Sequence, residues 1–411
     1  MPVTTNHIAN RERILRDFTD IVNIDSPSLK ERKIAEALRE KLVSIGFAVY
    51  EDNAGAVAGG ECGNLIAALP AYASSGAGDA SEIAGNAGGG AAELPVVAML
   101  AHMDTVGPCE NKRCIVDGDI VRSDGKTILG GDDGAGIVAA LEIARRVKEE
   151  GIRHGGILII YTIAEETGLD GAKNLDRNII KTATGSAEFP RFCFVFDSGG
   201  APGSVVARAP SHTDMIISVK GVAAHSGIEP EKGVNAIAAL SDAIAHMRLG
   251  RIDADTTANI GIIRGGLARN IVCESASAEG EARSHNPDTL KRQTAHMKEC
   301  VAEACSRRGA SFDFQEITSY NAFSLTREDE IIRLLSGAAK ARGYELNPVP
   351  SGGGSDANIL NAMGVPAANL PVGMHEVHST KEYTDLRETA ETIELIVAAF
   401  RLLAAGPPYD K

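Results

Sequence analysis

The sequence contains no Cys-x-x-Cys pair, and its seven cysteines are an odd number. Both facts argue against a disulfide framework and against a zinc ribbon, because these need cysteines in regular pairs. A length of 411 residues also excludes a mini-protein held together by disulfides. We therefore expect reduced thiols in a cytosolic protein.

Long hydrophobic runs are absent as well. The amino-terminal stretch MPVTTNHIANRERILRDF has no apolar core of the kind that secretory signals carry. No later run approaches the roughly 18 apolar residues that a membrane span needs. These absences predict a cytoplasmic protein that does not cross a membrane.

Positive charge is in deficit. Lys and Arg together number 41 against 55 Asp and Glu, which gives a formal net charge of −14 at pH 7. A surface of this sign repels the phosphate backbone of nucleic acids and the headgroups of anionic lipids. Neither nucleic acid nor membrane is therefore expected as a partner.

The composition that remains is that of an ordinary globular protein, with 44% hydrophobic and 23% charged residues. Such a chain can bury a substantial core, and its length allows two or three domains at about 150 residues each. Apolar residues at helical spacing predict amphipathic helices at Ile14–Val22 and Ile34–Val43.

Continuous apolar runs of strand length alternate with helical patterns such as Ile137–Lys148. The runs predict strands buried on both faces at Leu65–Leu69, Val96–Ala101, Ile157–Ile163 and Phe192–Phe196. This alternation predicts an α/β fold with a mixed, largely parallel sheet flanked by helices.

Two segments interrupt the alternation. In residues 71–93, Gly, Ala and Ser fill 17 of 23 positions, which predicts a flexible Gly/Ala-rich loop. From about residue 213 the pattern becomes that of a separate α+β unit, with strands at Met215–Val219, Asn259–Ile263, Ala276–Ala282 and Phe312–Ile317 and helices at Val234–Met247 and Thr289–Cys305. We therefore expect a discontinuous first domain, residues 1–211 and 322–411, and a second domain inserted at 212–321.

The first candidate site residues follow the strand Val96–Ala101. Period-two geometry places His102 and Asp104 on the same side of the extended chain. A neutral imidazole can bind a metal ion there while the carboxylate orients it. The pattern His-x-Asp is common by chance, so it predicts little by itself.

Two acidic pairs follow further along the chain. Asp132 and Asp133 stand in GGDDGAG directly before a helical pattern, and a buried pair of this kind needs a cation or hydrogen-bond donors to stay ionised. A helix N-cap explains Asp133 but not the pair. Glu165 and Glu166 follow the strand Ile157–Ile163, so one can bind a metal ion while the other faces a water; a solvated acidic turn is the alternative.

The remaining candidates follow the last two strands of the pattern. Asp197 ends Phe192–Phe196, while His375 and His378 come after an apolar run at Ala367–Leu370. In open α/β sheets, ligands bind at the carboxyl ends of the strands. The imidazoles and carboxylates together form a mixed nitrogen and oxygen set that suits zinc, and one carboxylate can bridge two ions.

Other catalytic motifs match poorly. Residues 353–357, GGSDA, lack the final glycine of Gly-x-Ser-x-Gly, and residues 131–136 lack the Gly-x-Gly-x-x-Gly order of a dinucleotide loop. A serine nucleophile and a nucleotide site are therefore disfavoured.

Taken in order, AHMDTV, GGDDGAG, AEETG, FDSGG and the late His378 resemble the M20 family of zinc peptidases, most closely its peptidase T (tripeptide aminopeptidase) branch. The likeness spans nearly the whole chain and includes KGVAAHSGIEPEKGVNAI and SGGGSDANILNAMGVPAANL. It implies a dizinc catalytic domain, short peptides as substrate, and an inserted lid domain that often mediates a homodimer.

The resemblance also implies the ligand set. His102 and Asp197 would bind one zinc ion, Glu166 and His378 would bind the other, and Asp132 would bridge them. Other divalent ions such as Co²⁺ or Mn²⁺ can occupy such sites. His375 competes with His378, but the stretch HSTKEY resembles the family pattern His-x-x-x-Glu-Tyr and favours His378.

Further roles follow by motif position. Glu165 would be the general base, Asp104 would support the catalytic centre, and His225 would polarise the scissile carbonyl. Asn270 and Arg283 match lid residues that hold the substrate's backbone or carboxylate. Outside the stretch GVAAHSG, a histidine near a strand end is more often a surface or capping residue than a functional one.

The chain departs from the family pattern at Gly134, where many relatives have Lys, and at the apparent insertion 71–93. Within the family, an Asp as the terminal ligand of the first zinc site tends to accompany aminopeptidases and dipeptidases, and this chain has Asp197. We therefore expect a zinc-dependent aminopeptidase that acts on short peptides, tripeptides best. The alternatives are a deacylase of N-acyl amino acids and a catalytically silent binding module, which would have no use for Glu165.

Overall fold

The structure is a computed structural model that describes residues 9–72, 94–185 and 189–409. The chain forms two compact units. The first comprises the described parts of Met1–Ala207, Leu325–Val349 and Ser355–Lys411, and the second comprises Arg208–Ser324 and Pro350–Gly354.

The helices, in chain order, are α1 (Arg11–Val22), α2 (Arg32–Ile45), α3 (Ala54–Ala58), α4 (Gly131–Glu149), α5 (Asp170–Lys173), α6 (Arg177–Thr184), α7 (Ala236–His246), α8 (Pro287–Arg308), α9 (Glu330–Ala341), α10 (Asp356–Ala362) and α11 (Leu386–Ala405). A short 3-10 helix spans Pro230–Lys232. Among the described residues, none of these helices has the length and apolar character that spanning a membrane requires.

The strands are β1 (Ala48–Glu51), β2 (Leu65–Leu69), β3 (Val97–His102), β4 (Cys114–Asp117), β5 (Ile120–Ser123), β6 (Ile157–Thr162), β7 (Phe192–Ser198), β8 (Ser204–Ala209), β9 (Ser211–Lys220), β10 (Gly250–Arg251), β11 (Thr256–Gly265), β12 (Ser275–Ser284), β13 (Ser311–Tyr320), β14 (Phe323–Ser324), β15 (Asn347–Pro350), β16 (Ala367–Pro371), β17 (Met374–His375) and β18 (Tyr383–Asp385).

The central sheet of the first unit has the strand order β1-β2-β6-β3-β7-β16-β8. Its four middle strands, β6, β3, β7 and β16, run parallel, and antiparallel strands flank them on both sides. Apolar side chains fill β3 up to His102 and β6 up to Thr162 because both faces of these strands are buried. The parallel middle strands bring their carboxyl ends to one edge, where the candidate site lies.

Helix α4 is the central helix of this unit. It packs against β3, β7, α1 and α11, and every residue from Gly131 to Ala144 is buried. A Cβ added at Gly134 would lie 3.0 Å from the Val22 side chain of α1, so the close packing of these helices favours glycine at this position. A separate small sheet, β17-β18-β5-β4, carries the segment around His375.

The second unit has its own core. Its five-stranded sheet, in the order β10-β11-β12-β9-β13, is antiparallel throughout. Helices α7 and α8 pack against each other and against this sheet. Met215, Ile217, Leu240, Met297 and Val301 are among the buried residues of that core.

The predicted fold class is confirmed: the first unit is a mixed, largely parallel sheet flanked by helices, and the second is α+β. The strand predicted at Leu65–Leu69 has those bounds in the structure. Short elements such as β4 and α10 were not predicted, because β4 is mostly exposed and α10 has only seven residues. From residue 73 onward the predicted loop 71–93 lies outside the described residues; Tyr72 itself exchanges two backbone hydrogen bonds with His154.

The two units differ from the expected ranges 1–211, 212–321 and 322–411 at three places: the second unit starts at Arg208, its main segment ends at Ser324, and it also includes a short later segment. Pro350–Gly354, expected in the first domain, packs with the second unit. The backbone N–H of Ser351 donates to the carbonyl of Arg208 at 2.8 Å, and the glycines of this segment lie beside Tyr320 and Arg283. A glycine-rich segment has no local apolar pattern that would assign it to either core.

Candidate active site

The candidate residues lie at the carboxyl ends of the parallel strands. His102 is the last residue of β3, Glu165 and Glu166 follow β6, and Asp197 is near the end of β7. His378 lies in the loop between β17 and β18. Four segments that are far apart in the sequence therefore supply one edge of the sheet.

Asp132 lies between the two histidines. Its Oδ1 is 3.0 Å from Nε2 of His102, and its Oδ2 is 3.3 Å from Nε2 of His378. The same His378 nitrogen is 3.1 Å from Oε1 of Glu166. One carboxylate thus faces both imidazoles, which is the arrangement that a bridging ligand requires.

His375, the competitor of His378, is engaged elsewhere. Its Nε2 is 2.8 Å from Oε2 of Glu388, and its ring stacks on Tyr383 at 4.7 Å between ring centres. His378 instead has a left-handed backbone (φ 60°), unusual for a non-glycine residue, and its ring reaches Asp132 and Glu166. The structure therefore brings His378 to the cluster and leaves His375 outside it.

Asp104 acts on two segments at once. Its backbone carbonyl is 2.9 Å from Nδ1 of His102, which leaves Nε2 of that ring facing Asp132. Its carboxylate accepts the hydroxyl of Ser28 at 2.7 Å and the backbone N–H groups of Glu165 and Glu166 at 2.9 and 3.2 Å. The sequence predicted that the carboxylate of Asp104 orients the imidazole; in the structure the backbone carbonyl of Asp104 makes the hydrogen bond to the ring, and the carboxylate holds the loop that carries the two glutamates.

Asp133, the second residue of the acidic pair, accepts hydrogen bonds from two backbone N–H groups. The carboxylate of Asp133 accepts the N–H of Gly136, three residues on, and that of His102 on β3. The first of these bonds is the N-cap interaction expected from the sequence, because the backbone of Asp132 and Asp133 is not helical and the regular part of α4 begins after them. Asp133 therefore fastens the start of the regular helix to the strand that ends in His102.

Sequence reasoning missed Glu382 as a functional residue. Its buried carboxylate accepts the backbone N–H groups of Leu129, Gly130 and Asp132 at 2.6, 2.9 and 3.0 Å. A Cβ on Gly131 would lie 2.3 Å from Oγ1 of Thr384, so glycine is needed for this close approach. The one available signal was its place four residues after His378, in the stretch quoted for that histidine.

The carboxylates of the cluster repel each other. Burial, together with the charge of Asp197, raises the pKa of Glu165 well above its usual range. Burial and the neighbouring Asp132 raise the pKa of Asp197 in the same way. Among the described residues, the ion pairs that Asp132 and Glu166 make are with histidines rather than with Lys or Arg.

This donor set fits divalent metal ions. Ligand atoms of His102, Asp132 and Glu166 lie within 4.8 Å of one another. Hydrogen bonds to Asp132 and Glu166 raise the pKa of His378 to about 10, and metal binding would displace that proton because a metal ion takes neutral imidazole. The surplus of negative charge, with no Lys or Arg partner among the described residues, favours a cation at this place.

Two of the three predicted lid residues lie close together within the second unit. His225 is exposed and pairs with Ile271, next to Asn270 in the sequence. The N–H of Ser226 donates to the carbonyl of Asn270 at 3.1 Å, so the segments that carry His225 and Asn270 are joined.

Arg283 lies on β12 and is engaged within the second unit. Its guanidinium donates to both carboxylate oxygens of Glu281, at 3.1 and 2.9 Å. A hydrogen bond with His212 and this ion pair with Arg283 lower the pKa of Glu281 to about 2, against the effect of burial. Arg283 can therefore contact a substrate only with the part of its guanidinium that Glu281 leaves unused.

Two family models match the chain. The peptidase dimerisation domain of the M20 type matches residues 210–308, and peptidase family M28 matches residues 82–229. The second match includes the segments that carry His102, Glu165, Glu166 and Asp197.

The chain is similar over nearly its whole length to known proteins. The uncharacterized protein YqjE of Bacillus subtilis is 36% identical, over 95% of this chain and 98% of its own. The crystal structure of aminopeptidase PepT from Bacillus cereus superposes with a TM-score of 0.82 at 36% identity, covering 97% of this chain and 99% of that one. A tripeptidase from Staphylococcus aureus gives a TM-score of 0.86 at 32% identity, covering 97% and 100%.

These similarities define a hydrolase of the peptidase class. The chain belongs to the M20 family of peptidases and is a peptidase T-like member of it.

Proposed function

We propose that the chain is a dizinc aminopeptidase that releases the N-terminal residue from short peptides, tripeptides best. The observation that carries the proposal is the convergence of His102, Asp132, Glu166 and His378 beside Glu165. The similar proteins from B. cereus and S. aureus are an aminopeptidase and a tripeptidase.

In the proposed ligand set, His102 and Asp197 would hold one ion, Glu166 and His378 would hold the other, and Asp132 would be shared between them. Co²⁺ and Mn²⁺ accept the same nitrogen and oxygen donors as zinc. When bound, two such ions lower the pKa of a water and polarise a carbonyl group.

The residues of the chain do the remaining work. Glu165 takes the proton of the attacking water and delivers it to the leaving amine. Asp104 keeps the amides of Glu165 and Glu166 in place, so the base and the ligand beside it hold their relative positions. His225 stabilises negative charge on the carbonyl oxygen. Asn270 and the part of the Arg283 guanidinium that is not bonded to Glu281 hold the peptide backbone or carboxylate.

Free tripeptides should be cleaved in preference to N-acyl amino acids. The carboxylate-rich cluster attracts a protonated α-amino group, and an acylated terminus lacks that charge. A hydrogen bond to a charged group contributes about 1.5–3 kcal/mol, which corresponds to roughly 10- to 100-fold in kcat/KM. Mass spectrometry of products from a mixed panel of di-, tri- and tetrapeptides, with N-acetylated controls, measures this preference.

The panel also separates the alternatives. Efficient cleavage of N-acetyl amino acids, with free tripeptides left intact, would replace the aminopeptidase by a deacylase. Release of C-terminal residues would contradict the proposal that the enzyme releases the N-terminal residue of a peptide.

We also propose that the second unit forms a homodimer and supplies His225 to the reaction. The match of residues 210–308 to a dimerisation domain supports this. Exposed apolar side chains of the second unit, Ile262, Ile263 and Leu267, are the kind of surface that an interface covers.

His225→Ala should lower kcat without loss of metal, because His225 is no ligand. Mixing His225→Ala with Glu165→Gln subunits tests where the histidine acts. If it serves the partner's site, random pairing restores wild-type residues at about a quarter of the sites, and activity returns. An unchanged rate in His225→Ala alone would remove His225 from the mechanism, and no recovery on mixing would show that the histidine is not supplied by a partner.

A further inference from the structure

The turn between α1 and α2 contacts the segment that follows β3 in the first unit. In this turn, which we call the Ser26–Glu31 turn, the carbonyl of Ser26 accepts the N–H of Thr105 at 2.9 Å, and the hydroxyl of Ser28 donates to Asp104. The turn thus lies against the segment that follows His102. None of the motifs that point to metal chemistry includes it.

Glu31 ends this turn and is fully buried, with 0% of its surface exposed. Its Oε1 accepts the N–H of Leu29 at 2.8 Å and the N–H of Ala164, 133 residues away, at 3.0 Å. Its Oε2 is buried and has no hydrogen-bond partner among the described residues. A buried carboxylate with one unpartnered oxygen is costly, so its presence calls for a reason.

Helix capping does not supply that reason. Glu31 occupies the N-cap position of α2, where a side chain ordinarily accepts an N–H of the helix that follows. Here the side chain makes no such bond, although the backbone carbonyl of Glu31 accepts the N–H of Ala35. The carboxylate is directed instead at the loop after β6.

That loop is held by its backbone amides. Four successive N–H groups donate to side chains of other segments: Ile163 to Asn64, Ala164 to Glu31, and Glu165 and Glu166 to Asp104. Ala164 has a left-handed backbone with φ 48°, a conformation that costs a non-glycine residue energy and persists when the surroundings impose it. Of these four residues, only Ala164 has a left-handed backbone, and its N–H is the one that donates to Glu31.

We propose that Glu31 is a positioning residue, which holds Ala164 in its left-handed conformation and thereby fixes the directions of Glu165 and Glu166. This inference rests on the proposed function for its catalytic consequence. Its structural part, the hold on the loop, stands independently. Glu31 is not among the proposed metal ligands or substrate-binding residues, and it acts through the backbone of the loop.

The test compares Glu31→Ala, Glu31→Gln and Glu40→Ala. Glu40 is exposed on α2, so its replacement controls for the loss of an acidic side chain from this helix. Gln keeps a carbonyl oxygen that can accept the N–H of Ala164, whereas Ala keeps none. If Glu31→Ala does not fold, Glu31→Asp takes its place, because a side chain one methylene shorter no longer reaches Ala164.

Three measurements decide the outcome. Hydrogen exchange followed by mass spectrometry should show faster exchange over residues 163–167 in Glu31→Ala. Competition with a chelator should show weaker binding of one zinc ion, since Glu166 lies in that loop. The value of kcat should fall about 10- to 100-fold with KM little changed, as is typical when a supporting hydrogen bond is lost.

Glu31→Gln should restore most of all three quantities, and Glu40→Ala should leave them unchanged. Exchange, zinc affinity and kcat in Glu31→Ala equal to those of Glu40→Ala would overturn the proposal. A fall in melting temperature alone, with these three quantities intact, would also overturn it by leaving only a structural role. If the wild type cleaves no peptide, the proposed function fails, while exchange and zinc affinity still decide the role of Glu31.

Discussion

Glu165→Gln should lower kcat by about 10²- to 10⁴-fold, the range attributed to general acid-base catalysis, while metal content stays at the wild-type level. Gln has the size and most of the hydrogen-bonding capacity of Glu, but it cannot take a proton at neutral pH. The backbone N–H of residue 165 keeps its bond to Asp104, so the loop should hold its conformation. Steady-state kinetics on a tripeptide and metal analysis of the same sample provide the two measurements.

The matched control is Glu61→Gln, an exposed glutamate of the first unit, which should keep full activity. Near-normal turnover by Glu165→Gln with its metal ions bound would remove Glu165 from the mechanism. Loss of metal together with activity would instead make Glu165 a ligand.

His378→Ala should lose about one metal equivalent of two and most of the activity, because the proposed pair of sites would have only four protein side chains besides the bridging aspartate. The imidazole of His378 is within 3.3 Å of both Asp132 and Glu166, so its removal takes a donor from the centre of the cluster. Elemental analysis after dialysis against a defined zinc concentration gives the stoichiometry.

His375→Ala is the paired variant, since both histidines lie in the same hairpin. Its ring is occupied by Glu388 and Tyr383, so both metal ions should remain bound. Retention of both ions by His378→Ala, or loss of one by His375→Ala, would reverse the choice between these histidines.

Site residues could be predicted from the sequence where they come directly after a buried strand. The strands around His102, Glu165 and Asp197 are continuous apolar runs, and parallel strands end at one edge, so the convergence of these residues could be expected. The pairing of Arg283 with Glu281 could also have been found, because residues two apart on a strand share a face.

The residues that hold the loops were not predictable in this way. Glu31 binds a backbone amide 133 residues away, and Glu382 binds amides at least 250 residues away. Every residue except proline has a backbone N–H group. The residue type at a position therefore does not reveal that its amide donates to a distant carboxylate. For His375 and His378, the stretch HSTKEY favoured His378 only through its resemblance to a family pattern; the contacts with Glu388 and Glu166 give the physical distinction between the two histidines.

The hold of Glu382 on the Asp132 loop has a consequence for biosynthesis. Ribosomes make the chain from its N-terminus, so His102, Asp132, Glu165 and Asp197 are all synthesised well before Glu382 and His378. Until those late residues leave the exit tunnel, the loop lacks its anchor and the cluster lacks its second imidazole. The cluster therefore reaches the arrangement seen in the structure only after both late residues have been synthesised.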